Sequence, residues 1–478
     1  MSQPSVIITE IDGALGVLPA SAGQLMAFVG SASDGPIDTP ATFARVTDIK
    51  SVFTSGPLVE AAAYYINVTG RPCAVVRCQA SNVVPLGTVE QTGAGTSVAS
   101  ATGDPDDDYD LVVKWTSSGT LGTAGPTYQL SYDGGRTYGL AMAIGTEMEI
   151  DFGVGVTFTF AAGTVVNGSL YSLRVKTAQW SGSDIYSALT ALGDTAIAWE
   201  QLHLVGEMPD ALTALGVDVR FRSFATKGKY RSWIASARVP DAGESAADYL
   251  SALSADFGAL STTHGAMCAG ACRTVSGVSG RQYRRPVAYA LTVAQAVSEE
   301  INVADVNLGA LPGVAIRDAN GNVDEHDESV NPGLDDARFT VLRTWDGYPG
   351  VYVNRPRLFS SPGSDFDIIP MRRVLNLADA ILRNYFIRRL NRPIRVDPAT
   401  GFILEVDALE IEGGATAALR AGLLAKPKAS GVQFILSRTD NVLSTKTLHG
   451  TSRVLPLAYP EWIEIQNGFY NPALAFAA

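Results

Sequence analysis

LMAFVGSASDGP, Leu25 to Pro36, reads as a buried strand that ends at Gly30 and passes into a turn-rich loop. Its apolar run shows none of the polar alternation of a strand with one face in water. Working outward, a helix is expected around Leu58–Ile66, stopped by Gly70-Arg71-Pro72, and Ala74-Val75-Val76-Arg77 reads as a second strand. Strand, helix and strand at this spacing make a βαβ unit. Upstream, residues 3–16 (QPSVIITEIDGALG) are extended in character but have no hairpin partner in sequence, so they are frayed or paired elsewhere.

Downstream the composition shifts. Residues 86–180 hold fifteen glycines and fourteen threonines and few helix-favouring runs. Asp110–Trp115, Thr127–Tyr132, Met148–Phe160 and Tyr171–Lys176 read as strands, with Tyr132-Asp133-Gly134-Gly135 as a hairpin turn. This is an all-β, sandwich-like insertion in an α/β domain. Helices return from Ser181. Ser183–Leu192 is a short helix, Ile197–Val205 a strand, and Ser245 with Asp248 forms a capping box ahead of Leu250, Leu253, Phe257 and Leu260. Pro286–Glu299 fits strand or helix. Near the end, Ala415–Ala425 reads as a helix, and Val432–Arg438, Val442–Thr447 and Trp462–Phe469 as strands, the first two joined by Thr439-Asp440-Asn441.

The fold class is therefore α/β (α+β) and multidomain: a mixed-sheet core with helices, an inserted all-β domain, and extended N- and C-terminal arms. The expected divisions are an arm (1–24), the first part of the core (25–85), the inserted outer domain (86–180), a middle α/β domain (181–337), a C-terminal core domain (338–457) and a closing strand and arm (458–478).

Residues 338–395 carry eleven arginines, no lysine and four acids, a net charge of about +7 in a chain of −12. Such an island implies a surface that meets something acidic. Met371, Val374, Leu375, Ala378, Ile381, Leu382, Tyr385 and Phe386 recur at helical spacing. Asp365 and Asp367 lie ahead of this helix, Arg388 and Arg389 close it, and Pro393 ends it. Arg372, Asn376, Asp379 and Arg383 fall on a second, polar face.

Composition excludes several function classes. No segment has the apolar length to span a bilayer, and the N-terminus lacks the basic and apolar regions of a signal peptide, so a reducing cytoplasm is expected. The acidic balance argues against nucleic acid. Cys73 and Cys78 point to opposite faces of one strand. His264, Cys268 and Cys272 would align on a helix but lack a fourth ligand, so buried free thiols are expected and no metal. Asp104, Asp106, Asp107, Asp108 and Asp110 fail the calcium-loop pattern and read as a solvated acidic loop; Asp318–Asp324 fails it too and reads as a turn. His326 is expected in an exposed acidic turn. No phosphate loop, dinucleotide fingerprint or nucleophile elbow is present, so no catalytic residue and no cofactor are assigned.

Two blocks resemble the tail sheath proteins of contractile bacteriophage tails and related injection systems. One is Pro4-Ser-Val-Ile-Ile-Thr-Glu-Ile11 followed by MAFVGSASDGPIDTPATFARVTDIKSVFTSG (Met26–Gly56) and RPCAVVRC (Arg71–Cys78). The other is RTWDGYPGVYVNRPRL (Arg343–Leu358), the helix DFDIIPMRRVLNLADAILRNYF and the closing EWIEIQNGFYNP. Residues 86–180 carry no such likeness.

The resemblance implies a structural sheath subunit, not an enzyme. Subunits would polymerise helically around a tail tube in a metastable extended state and contract to drive the tube through a target envelope. Terminal arms exchanged between subunits would complete a shared sheet, with Val6, Ile7, Ile8 and Ile11 in one arm and Trp462, Ile463 and Ile465 in the strand beside it. The tube-facing domain would be 338–457, with Arg372, Arg373 and Arg383 reaching acidic groups on the tube. Implied partners are further copies of the chain, the tail tube protein, and baseplate and tail terminator proteins, without nucleic acid or direct membrane insertion. The implied location is a virion tail or contractile injection particle assembled in the host bacterial cytoplasm. The alternative is a carbohydrate- or receptor-binding virion protein that uses Tyr109, Trp115, Tyr128, Tyr132 and Tyr138 of the insertion.

Overall fold

A computed structural model describes residues 25–318 and 320–468. They fall into two compact units divided between Arg383 and Asn384. In the first, β1 (Met26–Gly30) is buried throughout, as its apolar run requires. β2 (Ala41–Phe43), α1 (Val46–Phe53) and α2 (Pro57–Thr69) follow. Proline opens α2, where its missing N–H costs no bond, and Gly70 at φ 65° closes it. β3 (Cys73–Arg77) then pairs parallel to β1 from Met26↔Cys73 to Gly30↔Arg77, the expected βαβ unit with two helices in its crossover.

The insertion leaves after β3. It comprises β4 (Glu90–Thr92), β5 (Ala99–Gly103), β6 (Tyr109–Trp115), β7 (Gly119–Thr120), β8 (Thr127–Ser131), β9 (Met142–Ala143), β10 (Glu149–Asp151), β11 (Val156–Phe160), β12 (Thr164–Val165) and β13 (Leu170–Val175). An antiparallel sheet in the order β4-β13-β6-β8-β9 and a smaller one, β10-β11-β5, enclose a core of Leu111, Val113, Trp115, Phe158, Phe160 and Tyr171. The single strand expected over Met148–Phe160 is a hairpin. Gly153 and Gly155, both at positive φ, reverse the chain where the apolar alternation seemed continuous. Asp133 does organise a turn, accepting the N–H groups of Arg136 and Thr137, but ten residues separate β8 from β9.

The chain returns through α3 (Gly182–Asp194), capped by Ser181, to β14 (Gln201–Glu207), α4 (Ala211–Thr226), β15 (Ser232–Ser236), α5 (Ala246–Phe257) and β16 (Gly265–Cys268). Ser245 caps α5 by accepting the Asp248 N–H at 3.1 Å. The main sheet runs β16-β15-β14-β1-β3-β2, parallel except for β2. This is a doubly wound order that reverses between β1 and β14. Alternate residues feed opposite layers. Ala27, Val29, Ala74 and Val76 join the core with α3, α4 and α5, while Met26, Phe28, Cys73 and Val75 join the one with α1, α2 and α6 (Ala288–Ala294). β17 (Ala271–Val275) and β18 (Gln282–Pro286) precede α6, and β19 (Val314–Ala315) completes their sheet. The ambiguous 286–299 stretch is thus a strand end followed by a helix. A hairpin of β20 (Leu342–Trp345) and β21 (Tyr348–Val353) leads to α7 (Ile369–Ile387).

The second unit has α8 (Glu405–Leu419), a π turn over Arg420–Leu424, β22 (Ala429–Leu436), α9 (Val442–Thr445) and β23 (Gly450–Pro456). α8 begins ten residues before the helix expected there. The strand expected over Val442–Thr447 is α9, because Asn441 accepts the Ser444 N–H and starts a helical turn. β22 pairs instead with β23. Residues 461–468 form no helix or strand. No helix among the described residues is long and apolar enough to cross a membrane.

Candidate interaction surfaces

The arginine island is largely neutralised inside the chain. Arg338 donates to the carbonyls of Gly258, Leu260 and Ser360; Arg355 pairs with Asp335, Arg357 with Asp367, Arg389 with Glu410 and Arg395 with Asp407. The expectation that Arg372 and Arg373 reach outward is corrected: they are 7% and 2% exposed. Arg373 Nε lies 2.9 Å from Glu200 Oε1, just ahead of β14, and its Nη atoms face the carbonyls of Val297 and Ser298. Arg372 donates to Asn376 Oδ1 at 2.7 Å and sits over the Phe366 ring; burial lowers its pKa, with Asp379 opposing. A buried guanidinium must find acceptors, and these lie in segments that helical periodicity cannot see. Arg383 is exposed, resting against Gly228, with no carboxylate within 4.0 Å among the described residues. The same holds for Arg388 and Arg392.

The acidic run at 104–110 is not a solvated loop. Asp107 is 1% exposed and grips Arg285 of β18 through bonds of 2.8 and 2.5 Å. Asp110 bridges Arg174 and Arg273, Arg273 reaches Asp324, and Lys176 meets Glu207 at 2.8 Å. Of these pairs, Asp107–Arg285, Asp110–Arg273 and Lys176–Glu207 cross between insertion and core. Carboxylates of both Asp-rich segments are engaged within the chain: Asp324 is held by Arg273 and Arg136, and Asp318 accepts the N–H groups of Asn320 and Asn322. Among the described residues no group of three His, Cys, Asp or Glu side chains is placed to hold a metal. All four cysteines are buried and free, with Cys268 and Cys272 on neighbouring strands rather than one helix. His326 is not exposed either; its Nε2 lies 2.9 Å from Glu328 Oε2 in a nearly closed site.

A doubly wound sheet normally receives ligands where its strand order reverses. Here that crevice is filled. Gly30 runs so close to Val205 that a Cβ would lie 2.7 Å from it, and buried Trp180 donates to the Val205 carbonyl at 2.8 Å. Four of the five aromatics singled out in the insertion pack in or against its core: Trp115 edge-to-face with Tyr128 and Phe160, and Tyr109 with Tyr132 and Tyr283, while Tyr138 lies apart, under Lys114. A groove of about 770 Å³ lies instead between β19 and the β20–β21 hairpin, walled by Arg317, Arg343, Trp345 and Tyr348.

In the second unit β22 and β23 form a sheet of two strands. The outward N–H groups of β22 are occupied, Phe434 donating to Thr416 Oγ1 at 3.3 Å and Leu436 to Glu412 Oε1 at 2.7 Å, both from α8. The outer edge of β23 meets no strand among the described residues. Large apolar side chains stand exposed around this unit: Leu390, Val406, Leu409, Leu443 and Leu455, then Trp462, Ile463 and Ile465. Val6, Ile7, Ile8 and Ile11 lie outside the described residues.

Together these features define a multidomain α/β chain whose strand-reversal crevice is filled and whose smaller unit has, among the described residues, an open strand edge. The chain belongs to the DUF2586 family, whose N-terminal domain matches residues 3–357. No curated protein matches it. Among solved structures, a chain of the six-fold symmetrised anti-feeding prophage (AFP) baseplate matches with a TM-score of 0.51 at 11% identity, covering 98% of this chain and 100% of that chain. The AFP helical sheath in its contracted state matches with a TM-score of 0.51 at 11% identity, over 98% and 99%. The contracted PVC sheath complex of an extracellular contractile injection system gives 0.51 at 12% identity, over 98% of each chain. The chain thus has the fold of contractile tail sheath structures, over nearly its whole length.

Proposed function

We propose that the protein is the sheath subunit of a contractile tail or injection particle, polymerising helically around a tail tube and contracting to drive it through a target envelope. The observation that carries this reading is that, in a chain with the sheath fold, the outer edge of β23 meets no strand among the described residues. A two-stranded sheet is marginal alone and gains from added strands. Strand addition supplies affinity through main-chain hydrogen bonds and register through side chains. Residues 3–16 of one subunit and the Trp462–Ile465 segment of another supply the missing strands. An arm of fourteen residues reaches on the order of 45 Å at about 3.3 Å per residue, enough to bridge neighbours.

Contact with the tube falls to Arg383, in place of the buried pair. Exposed ion pairs contribute only about 0–1 kcal/mol each, which suits contacts that contraction must break. Baseplate and terminator proteins bound the polymer at its two ends, and the particle is assembled in the bacterial cytoplasm. The carbohydrate-binding alternative is weakened because Trp115 is buried and Tyr109, Tyr128 and Tyr132 are part-buried against the core of the insertion. Negative-stain microscopy of the purified chain tests the proposal. Cylinders with helical striations are expected; a population of monomers at every concentration and ionic strength would overturn it.

A further inference from the structure

We infer that the turn from α4 to β15 and Arg383 of α7 form one fixed cationic surface, and that it docks the carboxylate-bearing face of an acidic partner protein, which on the sheath reading it rests on is the tail tube. The turn, Lys227-Gly-Lys-Tyr-Arg231, holds three cations in five residues and no acid. It lies far from Arg383 in sequence, outside the arginine-rich stretch 338–395, so only the fold joins them.

Gly228 follows α4 at φ 76°, a conformation that costs glycine nothing, and the Arg383 side chain lies so close against it that an added Cβ would overlap Nε. Lys229 Nζ donates to the carbonyls of Gly193 and Thr195 at the carboxyl end of α3, where a cation suits the helix dipole. Arg231 is 6% exposed and stacks on Trp199, its Cζ 3.8 Å from the ring centroid, with Phe224 at 5.6 Å. Its Nη1 is a buried donor with no hydrogen-bond partner among the described residues. Burial pulls Arg231 down to about 10, which leaves it charged at neutral pH.

The neighbouring acids offset little of this charge. Among the described residues no carboxylate lies within 4.0 Å of Lys229, Arg231 or Arg383, and Lys227 reaches only Asp194, at 4.0 Å with both side chains mostly in water. Asp379, which with Arg383 acts on Tyr230, answers Arg372 at 4.0 Å, and Glu200 answers Arg373. A guanidinium stacked on rings and another seated on a glycine lose little freedom on binding, so incoming carboxylates meet a preorganised array. Each exposed pair is weak and screened by salt, which suits a contact that contraction breaks. The chain's net charge of −12 disfavours a phosphate backbone in the partner's place.

The test measures binding of the full chain to fluorescently labelled poly-L-glutamate, by anisotropy at low salt. Lys227→Glu and Arg383→Glu are each expected to weaken binding severalfold, and together on the order of tenfold or more. Lys50→Glu, an equal change of charge on α1 in the opposite helical layer, is expected to leave it unchanged. Gly228→Ala alters no charge but pushes Arg383 off the turn; it should weaken binding in wild type and add nothing in the Arg383→Glu background. Should Gly228→Ala not fold, the exposed Lys227 and Arg383 variants decide. No effect of Lys227→Glu, or an equal effect of Lys50→Glu, overturns the inference, as does duplex DNA bound more tightly than polyglutamate at the same salt. The same variants are then mixed with tail tubes, and loss of polyglutamate binding beside normal tube binding overturns the assignment to the tube. Wild type that binds polyglutamate through Lys227 and Arg383 but forms no cylinders would instead remove the sheath reading, and the tube with it.

Discussion

At Arg373 a helix that periodicity presents as half solvated puts a cation under the amino ends of the parallel strands, against Glu200. Removing one partner of such a pair strands the other. Arg373→Met is expected to cost about 3–5 kcal/mol, and adding Glu200→Gln to recover part of the loss, as read by urea unfolding. An additive double variant would mean that the two groups do not interact. Arg383 is the contrasting case, exposed and with no carboxylate within 4.0 Å among the described residues. Arg383→Glu is expected to leave the urea midpoint unchanged while reducing co-sedimentation with tail tubes, most clearly at low salt. Normal co-sedimentation would remove Arg383 from the tube face. The apolar spacing of α7 was legible in the sequence; the fate of its arginines was not. Arg372 and Arg383 share one face of the helical wheel, yet the first is buried over Phe366 and the second exposed, and Arg373, off that face, meets Glu200, more than 170 residues away. Asp107 was misread for the same reason, since its partner Arg285 belongs to a distant strand.

Elements were legible where one local signal sufficed. β1, α2 and β3 follow from a buried run, a proline start, a glycine stop and a second buried run. The insertion was legible from its glycines and threonines, although Gly153 and Gly155 split one expected strand into two. α9 was missed because Val442 and Leu443 look strand-like, while the Asn441 cap sets a helical turn. That correction moves the hairpin partner to β23 and decides where a strand can add. Residues facing each other across an antiparallel pair share one hydrogen-bonding sense. Phe434 turns its N–H away from β23, so its partner Ser452 turns away too, as does Val454, two residues on. Val454→Pro should therefore remove an outward donor without breaking the inner ladder, a substitution that edge strands tolerate. The expected result is a folded monomer, with an unchanged far-ultraviolet spectrum, that forms no cylinders. Cylinders from this variant would place strand addition elsewhere.

For the whole molecule, the closed crevice and the open edge point the same way. A doubly wound sheet whose reversal point is filled by Trp180 and the close approach of Gly30 to Val205 offers no cleft there for a small ligand. Among the described residues, a strand edge that meets no strand and a collar of exposed leucines and isoleucines are the features of a surface that another chain can cover. If the cover is the terminal arm of a neighbour, folding and assembly are separable, because the described residues from 25 onward already form packed cores in the first unit. A chain lacking residues 1–16 is then expected to melt at the temperature of monomeric full-length protein and to stay monomeric where the full chain polymerises. Adding a synthetic peptide of residues 1–16 should protect the backbone amides of Ser452 and Val454 from hydrogen exchange without restoring cylinders, since a free strand fills the edge but links nothing. Polymers from the truncated chain would show that the arm is dispensable and that the lattice is held by the apolar collar alone.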